Sequence, residues 1–173
     1  MTDDDNPAPP RERLPARRVL VVGCGYLGRR LAARLAARGA DVHGLVRTPA
    51  SAAPVVWSVG FDRSAGHGYR DVHVLGLGRV LDALPGNPRA VLVSSTGVWG
   101  RGDGPDVDET TPAHPDREAG RVLLEAEALL HGHRLGPGTV LRLAGIYGPG
   151  RLPRLESLRA GEPIAADPDS WLN

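Results

Sequence analysis

The residues best suited to bind a ligand form a glycine-rich turn near the start of the chain. Residues 19–28 read Val-Leu-Val-Val-Gly-Cys-Gly-Tyr-Leu-Gly, which gives Gly23, Gly25 and Gly28 the spacing Gly-x-Gly-x-x-Gly. The first glycine permits a tight turn, the second lets the backbone approach a pyrophosphate, and the third lets a helix pack on a strand. The free N–H groups and positive dipole end of that helix would face the phosphates. The pattern therefore predicts a dinucleotide-binding turn.

A buried strand and an amphipathic helix flank this turn, as such a site requires. The four apolar residues 19–22 have the composition of a buried strand. A helix is predicted over residues 26–38, because Leu27, Leu31 and Leu35 recur every four residues and Gly39 is a natural end. The order of strand, glycine turn and helix makes the glycine spacing a much more specific signal than it is alone.

Further strands and helices alternate along the rest of the chain. Strands are predicted over residues 41–47, 55–59, 90–94 and 139–143, and helices over residues 69–84, 117–132 and 152–160. Asp116 is predicted to cap the helix that begins at Arg117. This alternation predicts an α/β protein with a Rossmann-like, doubly wound and mainly parallel sheet.

Arg47, at the end of the second predicted strand, bears on which dinucleotide is bound. An Asp or Glu about 20 residues after the glycines would bind the ribose 2′-hydroxyl of NAD. Arg47 takes that place here. A guanidinium matches a 2′-phosphate with two parallel hydrogen bonds, whereas a carboxylate would repel it. NADP is therefore predicted, with NAD as the alternative if Arg47 is a solvated residue at a strand end.

Composition restricts the partners, the chemistry and the compartment. The 173 residues suffice for one domain, and a net charge of +1 gives no reason to expect nucleic acid or a membrane surface as partner. The chain has no lysine, so chemistry that needs a lysine amine is excluded, and its histidines show no metal-ligand pattern. The single cysteine, Cys24, favours a reducing, cytoplasmic location. We interpret Cys24 as a small residue in a tight loop rather than as a reactive thiol.

Three further stretches carry a family resemblance. Residues 94–100 read Ser-Ser-Thr-Gly-Val-Trp-Gly, residues 142–150 read Arg-Leu-Ala-Gly-Ile-Tyr-Gly-Pro-Gly, and residues 161–164 read Gly-Glu-Pro-Ile. Together with the glycine turn, they resemble the extended short-chain dehydrogenase/reductases, also called the NAD-dependent epimerase/dehydratase family. The resemblance implies a nicotinamide dinucleotide bound across the sheet. It also implies that Ser95 hydrogen-bonds the reacting oxygen of a small-molecule substrate.

The chain departs from the family at the catalytic Tyr-x-x-x-Lys pair. Aligning the helix on Glu125 places Arg121 at the lysine position and Arg117 at the tyrosine position. Arg121 could bind a ribose hydroxyl, but Arg117 cannot donate a proton near neutral pH. Tyr147 and Asp62 are the candidates to replace the tyrosine, although a loop-stabilising pair with Arg63 is the more common role for an aspartate such as Asp62. The catalytic residues predicted are Ser95, Asp62 and Tyr147.

The residues expected to contact the cofactor extend beyond the glycines to the ends of other strands and to the third long helix. They are Gly23, Cys24, Gly25, Tyr26, Leu27, Gly28, Arg47, Gly60, Ser94 and Arg121. Family members often pair through helices on the face of the sheet, and the helix over residues 117–132 corresponds to one of these. The resemblance therefore implies that a homodimer can form.

Two regions are shorter than the family pattern. Only residues 48–54 separate the second and third predicted strands, where a parallel crossover usually needs a dozen residues or more. Either residues 55–59 are the family's fourth strand, with the third strand and its helix deleted, or they pair antiparallel beside the second strand. Residues 1–16 are predicted to be a disordered lead-in, and residues 17–173 a dinucleotide-binding domain that lacks most of the substrate-binding part.

Three functional hypotheses follow from these features. The first is an NAD(P)-dependent enzyme with oxidoreductase or epimerase chemistry on a sugar-nucleotide-like or other hydroxyl or carbonyl substrate. The second is a non-catalytic dinucleotide-binding module that senses redox state or binds a partner, which the missing Tyr-x-x-x-Lys pair favours. The third is a shortened, inactive gene product.

Overall fold

The computed structural model describes residues 18–44, 54–100, 106–152 and 155–162. Its strands are β1 (Arg18–Val22), β2 (Asp41–Gly44), β3 (Val55–Trp57), β4 (Ala90–Ser95) and β5 (Thr139–Leu143). Its helices are α1 (Tyr26–Ala37), α2 (Leu77–Ala83), α3 (Glu118–Gly132) and α4 (Leu155–Arg159). A π-helical segment (Asp71–Gly76) runs directly into α2, and a 3₁₀ turn (Thr96–Trp99) follows β4.

The strands form one parallel sheet in the order β2-β1-β3-β4-β5. This order confirms the predicted Rossmann-like α/β fold. Val56 of β3 pairs with Val21 of β1, so β3 lies directly beside the first strand. The alternative in which residues 55–59 pair antiparallel beside the second strand is wrong. All three residues of β3 are buried, as expected for a central strand of a parallel sheet that is covered on both faces.

Element boundaries differ from the sequence predictions at several ends. The predicted strand over residues 41–47 is observed to Gly44, and its remaining residues lie outside the described residues. The predicted strand over residues 55–59 ends at Trp57, although the Ser58 N–H still donates to the Val22 carbonyl at 2.7 Å. The predicted helix over residues 69–84 is helical from Tyr69, but Asp71–Gly76 is a π-helical segment rather than α-helix.

The predicted Asp116 cap is wrong. The N-cap residue of α3 is Arg117, which has extended backbone geometry and makes no side-chain cap hydrogen bond. The Asp116 carbonyl instead accepts a hydrogen bond from Arg121 Nη1 at 3.2 Å. The helix therefore starts one residue later than predicted, and the Arg121 side chain binds the backbone that precedes it.

The hydrophobic core lies between the central strands and the face covered by the π-helical segment, α2 and α3. Its members are Leu20, Val22, Val55, Trp57, Val74, Leu77, Leu81, Leu84, Ala90, Leu92, Val122, Ala126, Leu130 and Leu135. Helix α1 contacts β1 and β2 instead. The core thus holds the carboxyl ends of β1, β3 and β4 side by side, at the edge where ligands bind in open parallel sheets.

Candidate functional site

The glycine turn contains two kinds of glycine. Gly23 has a φ of +94°, and a Cβ there would overlap the backbone of Ser58, while a Cβ on Gly28 would overlap the Gly23 carbonyl oxygen. Gly25 and Gly60 have no positive φ, and a Cβ on either would meet no described heavy atom within 4 Å beyond its chain neighbours. Protein packing therefore accounts for Gly23 and Gly28. Gly25 and Gly60 border open space from which a ligand can approach the backbone.

This open space lies at the N-terminus of α1. Gly25 is the N-cap residue of that helix, and as a glycine it has no side chain with which to cap it. The first N–H groups of a helix have no partner within the helix, so those of the turn after Gly25 can bind an anion. These N–H groups, together with the open space beside Gly25, suit the pyrophosphate of a dinucleotide. Cys24 is exposed in the turn, and Leu27 lies partly buried one residue into the helix.

Tyr26 joins the glycine turn to the loop that follows β5. Two guanidinium groups contact its ring, with Arg30 Cζ 3.9 Å and Arg151 Cζ 5.3 Å from the ring centroid. Arg30 Nη2 donates to the Pro149 carbonyl at 3.2 Å, and Tyr26 Oη lies 3.5 Å from the same oxygen. A Cβ on Gly148 would stand 2.6 Å from Tyr26 Oη, so glycine permits this approach. Two motifs that are remote in sequence are thereby brought together.

Ser95, predicted to contact substrate, is the last residue of β4. Its Oγ accepts a hydrogen bond from the Gly97 N–H at 3.1 Å and so caps the 3₁₀ turn. A hydroxyl that accepts in this way still has its own O–H to donate. The side chain is partly exposed, and the strand places it at the carboxyl edge of the sheet.

Ser94, predicted to contact the cofactor, has a protein partner. Its hydroxyl is buried and donates to Glu127 Oε1 at 2.6 Å. Glu127 also accepts from Arg142, at 3.2 Å from Nε and 2.8 Å from Nη2. Arg142 in turn lies over the Trp99 ring, with Cζ 4.8 Å from its centroid. Sequence reasoning missed this network, although a glutamate on the apolar stripe of α3 was a signal that it needed a buried partner.

The helix residues aligned with the family's catalytic pair lie on the surface. Arg121 is exposed and donates to the backbone before α3. Glu125, on which the alignment rests, forms an ion pair with Arg70 of the segment before α2, and this guanidinium lowers the pKa of the Glu125 carboxyl. Gly120 is buried, and a Cβ there would stand 2.6 Å from the Gly97 carbonyl oxygen. The start of α3 is therefore packed tightly on the 3₁₀ turn after Ser95.

The two candidates for proton transfer lie in exposed loops. Asp62 accepts from the Ser64 N–H at 2.8 Å and the Ser64 hydroxyl at 2.6 Å. These hydrogen bonds lower its pKa, so near neutral pH the carboxyl is ionised. Ser64, rather than Arg63, is its hydrogen-bonding partner. Tyr147 is 75% exposed in the loop after β5. Arg47 lies outside the described residues.

A partly buried aromatic cluster begins at Phe61, the residue before Asp62. The rings of Phe61 and Tyr69 are 5.1 Å apart edge to face, and those of Tyr69 and His73 are 4.2 Å apart. His73 is buried, and its Nε2 has no hydrogen-bonding partner within the part of the chain that the structure describes. Burial lowers the pKa of His73, so its neutral form is favoured.

A metal-binding cluster and a membrane-spanning helix are both absent from the described residues. These residues contain no group of three or more His, Cys, Asp or Glu side chains that could hold a metal ion. None of the helices within residues 18–44, 54–100, 106–152 and 155–162 is both long and apolar enough to cross a bilayer.

A protein of known sequence matches part of the chain, and solved structures match most of it. Protein YeeZ of Escherichia coli (strain K12) is 51% identical over 69 residues, which are 38% of this chain and 24% of YeeZ. A solved structure from Methylobacillus flagellatus, described as an NAD-dependent epimerase/dehydratase, is 32% identical with a TM-score of 0.59. The match covers 85% of this chain and 61% of that one. No protein-family model matches the chain.

A second solved structure has a bound cofactor. A short-chain dehydrogenase/reductase superfamily protein from Agrobacterium tumefaciens, with bound NAD, is 27% identical with a TM-score of 0.60. That match covers 74% of this chain and 49% of the other. The chain thus spans about half to three-fifths of the length of these solved relatives. The predicted resemblance to the NAD-dependent epimerase/dehydratase family is confirmed.

Proposed function

We propose that this chain, which has the fold of the NAD-dependent epimerase/dehydratases, binds a nicotinamide dinucleotide at its glycine turn and acts in oxidoreductase or epimerase chemistry. The single observation that supports binding most directly is the open space beside Gly25 and Gly60. Neither position needs glycine for its φ or its protein contacts, so a ligand close to the backbone accounts for both. A bound dinucleotide supplies the hydride-transfer chemistry.

NADP is the proposed cofactor, with NAD as the alternative. The proposal rests on Arg47, whose guanidinium suits a 2′-phosphate. The Agrobacterium tumefaciens relative has NAD bound, so the general class of ligand is supported by a solved structure of the same fold. Arg121, at the exposed start of α3, is proposed to bind a ribose hydroxyl. Ser94 is not proposed as a direct contact through its hydroxyl, since that group donates to Glu127.

The proposed substrate is a small molecule with a hydroxyl or carbonyl group, of the sugar-nucleotide type. Ser95 would donate its O–H to the reacting oxygen, while its lone pair continues to accept from Gly97. Asp62, ionised near neutral pH, suits the role of a base rather than an acid. Tyr147 has a phenolic proton to donate and is exposed at the same edge of the sheet. A homodimer and a cytoplasmic location are part of the same proposal.

A non-catalytic dinucleotide-binding module is the second candidate function. It is favoured by the start of α3, where arginines occupy the aligned positions of the family's Tyr-x-x-x-Lys pair and Arg121 is engaged with the backbone. Such a module would bind the same cofactor and use the Ser95 turn only for structure.

Cofactor titration followed by a turnover assay tests both candidates. NADPH and NADH are each titrated against the protein by nicotinamide fluorescence, and turnover is then measured with a panel of UDP-sugars. Binding with turnover that Ser95→Ala slows strongly but leaves measurable supports the enzyme. Binding without turnover supports the module, and the absence of binding by either dinucleotide refutes both.

A further inference from the structure

Glu127 is a buried carboxylate that ties three elements together. It projects from α3, its side chain is 7% exposed, and it accepts hydrogen bonds from Ser94 of β4 and Arg142 of β5. Burying an ion pair is costly, and apolar residues of similar volume often stabilise a fold as well or better. The presence of this pair at the end of the central strands therefore calls for a role beyond stability.

The sheet register explains why one carboxylate reaches both partners. Ser94 and Arg142 are paired residues of the β4–β5 ladder, so their side chains leave the same face of the sheet, towards α3. Ser95 follows directly, and its side chain leaves the opposite face. The network therefore holds the backbone immediately before the proposed substrate contact without occupying the space that a substrate would need.

The same ion pair also holds the far end of the turn that Ser95 caps. Arg142 packs over the Trp99 ring, and Trp99 closes the 3₁₀ turn. The Trp99 Nε1–H donates to the Thr111 carbonyl at 3.0 Å, which holds the edge of the ring as well. Ser95 Oγ accepts from Gly97 inside this turn. Ser94 before the turn and Trp99 at its end are thus both in contact with the Glu127–Arg142 pair.

We propose that Glu127, with Arg142, is a positioning residue that sets the location of the Ser95 hydroxyl. This inference rests on the proposed function, in which Ser95 polarises the substrate oxygen. In this proposal Glu127 makes no contact with the reacting oxygen of the substrate. It acts through Ser94 and through Trp99, because their positions determine the path of the backbone that carries Ser95 Oγ. A misplaced hydroxyl would slow the reaction without weakening cofactor binding at the glycine turn.

The first test needs no substrate. The exchange rate of the Gly97 amide proton is measured by NMR in the full chain, since this amide donates to Ser95 Oγ. Glu127→Gln should raise the rate about tenfold, towards the rate in Ser95→Ala. Glu125→Gln is the matched control, because it removes the exposed ion pair with Arg70 from the same helix, and it should leave the rate unchanged. A wild-type rate in Glu127→Gln overturns the proposal.

Ser94→Ala provides a second route if Glu127→Gln fails to fold. It removes one hydrogen bond to Glu127 and leaves the ion pair with Arg142 in place. Ser94→Ala should also accelerate Gly97 exchange. A folded Ser94→Ala variant with an unchanged rate refutes the coupling between Ser94 and the turn.

The second test is a double-mutant cycle on the oxidation of UDP-sugars, in which a carbon that bears a hydroxyl gives its hydride to NADP⁺ and the hydroxyl loses its proton. Glu127→Gln should lower kcat about tenfold with little change in the KM for NADP⁺, and Ser95→Ala/Glu127→Gln should be no slower than Ser95→Ala alone. Independent, multiplicative losses would mean that Glu127 does not act through Ser95. If the wild type shows no turnover, the proposed function fails, while the Gly97 measurement still decides whether Glu127 positions the turn.

Discussion

Gly28 lies so close to Gly23 that a Cβ at position 28 would overlap the Gly23 carbonyl oxygen. The third glycine of the motif therefore meets the first, and the contact sets the angle at which α1 leaves β1. We predict that Gly28→Ala lowers the free energy of unfolding by about 1–3 kcal/mol, because backbone must shift to admit the methyl group. Urea denaturation measures the change.

Gly132→Ala is the matched control for that substitution. Gly132 ends α3. A Cβ there would meet no described heavy atom within 4 Å, apart from its two chain neighbours and the nearby backbone of the same helix. Alanine is the better helix former by up to about 1 kcal/mol. Stability equal to or above that of the wild type is expected, and an equal loss in both variants would contradict the steric account of Gly28.

Gly60→Ala should separate ligand binding from folding. The position has open space around it, so the change should leave the free energy of unfolding within about 0.5 kcal/mol of the wild type. A methyl group at the carboxyl end of the sheet should nevertheless obstruct the cofactor and raise the Kd for NADPH about tenfold or more. Fluorescence titration checks this. Unchanged affinity would place the dinucleotide elsewhere.

Arg47→Ser should change the choice of dinucleotide. If the guanidinium binds the 2′-phosphate, its loss should weaken NADPH binding by about 2 kcal/mol while leaving NADH nearly unaffected, since a hydrogen bond to a charged group contributes about 1.5–3 kcal/mol. Arg34→Ala, in the exposed last turn of α1, is the control and should alter neither affinity. Equal weakening of both dinucleotides by Arg47→Ser would count against the predicted role.

His73 should make stability depend on pH. Burial lowers its pKa below the ordinary histidine value of about 6.5, so below that pH the unfolded chain binds a proton that the folded chain resists. This contribution to stability is present above pH 6.5 and is lost as the pH falls. The Tm of the wild type should therefore drop more between pH 7 and about pH 5 than the Tm of His73→Phe.

His67→Gln is the control for this pH dependence. His67 is exposed in the loop before the π-helical segment, so its replacement should leave the pH profile of the Tm as in the wild type. Parallel profiles for the wild type and His73→Phe would show that His73 is not the source.

Glu127→Ala and Glu125→Ala should differ in their cost to stability. Removal of Glu127 leaves Arg142 and Ser94 without their partner and should cost about 3–5 kcal/mol. Removal of the exposed Glu125 should cost far less, because water solvates the Arg70 guanidinium that it leaves behind. Denaturant unfolding of the two variants, side by side, gives the comparison. Similar costs would mean that the Glu127 pair is not buried as described.

Local patterns in the sequence determined much of the fold. The apolar run before Gly23, the glycine spacing and the leucine period after it specify a strand, a turn and a helix within 20 residues of one another, and the structure has them as β1 and α1. The strand over Thr139–Leu143 coincides with its prediction. Periodicity and glycine conformation act over a few residues, so they can be read directly from the chain.

Tertiary structure decided which side chains meet. Ser94, Glu127 and Arg142 are separated by 33 and 15 residues, and Tyr26 and Pro149 by 123. No local pattern specifies such pairs. They arise because β3 lies beside β1 and the ladder aligns β4 with β5, which places α3 over one face and the loop after β5 on the glycine turn. The sequence alone determined that a dinucleotide-type turn forms, whereas packing between distant elements decided what surrounds it.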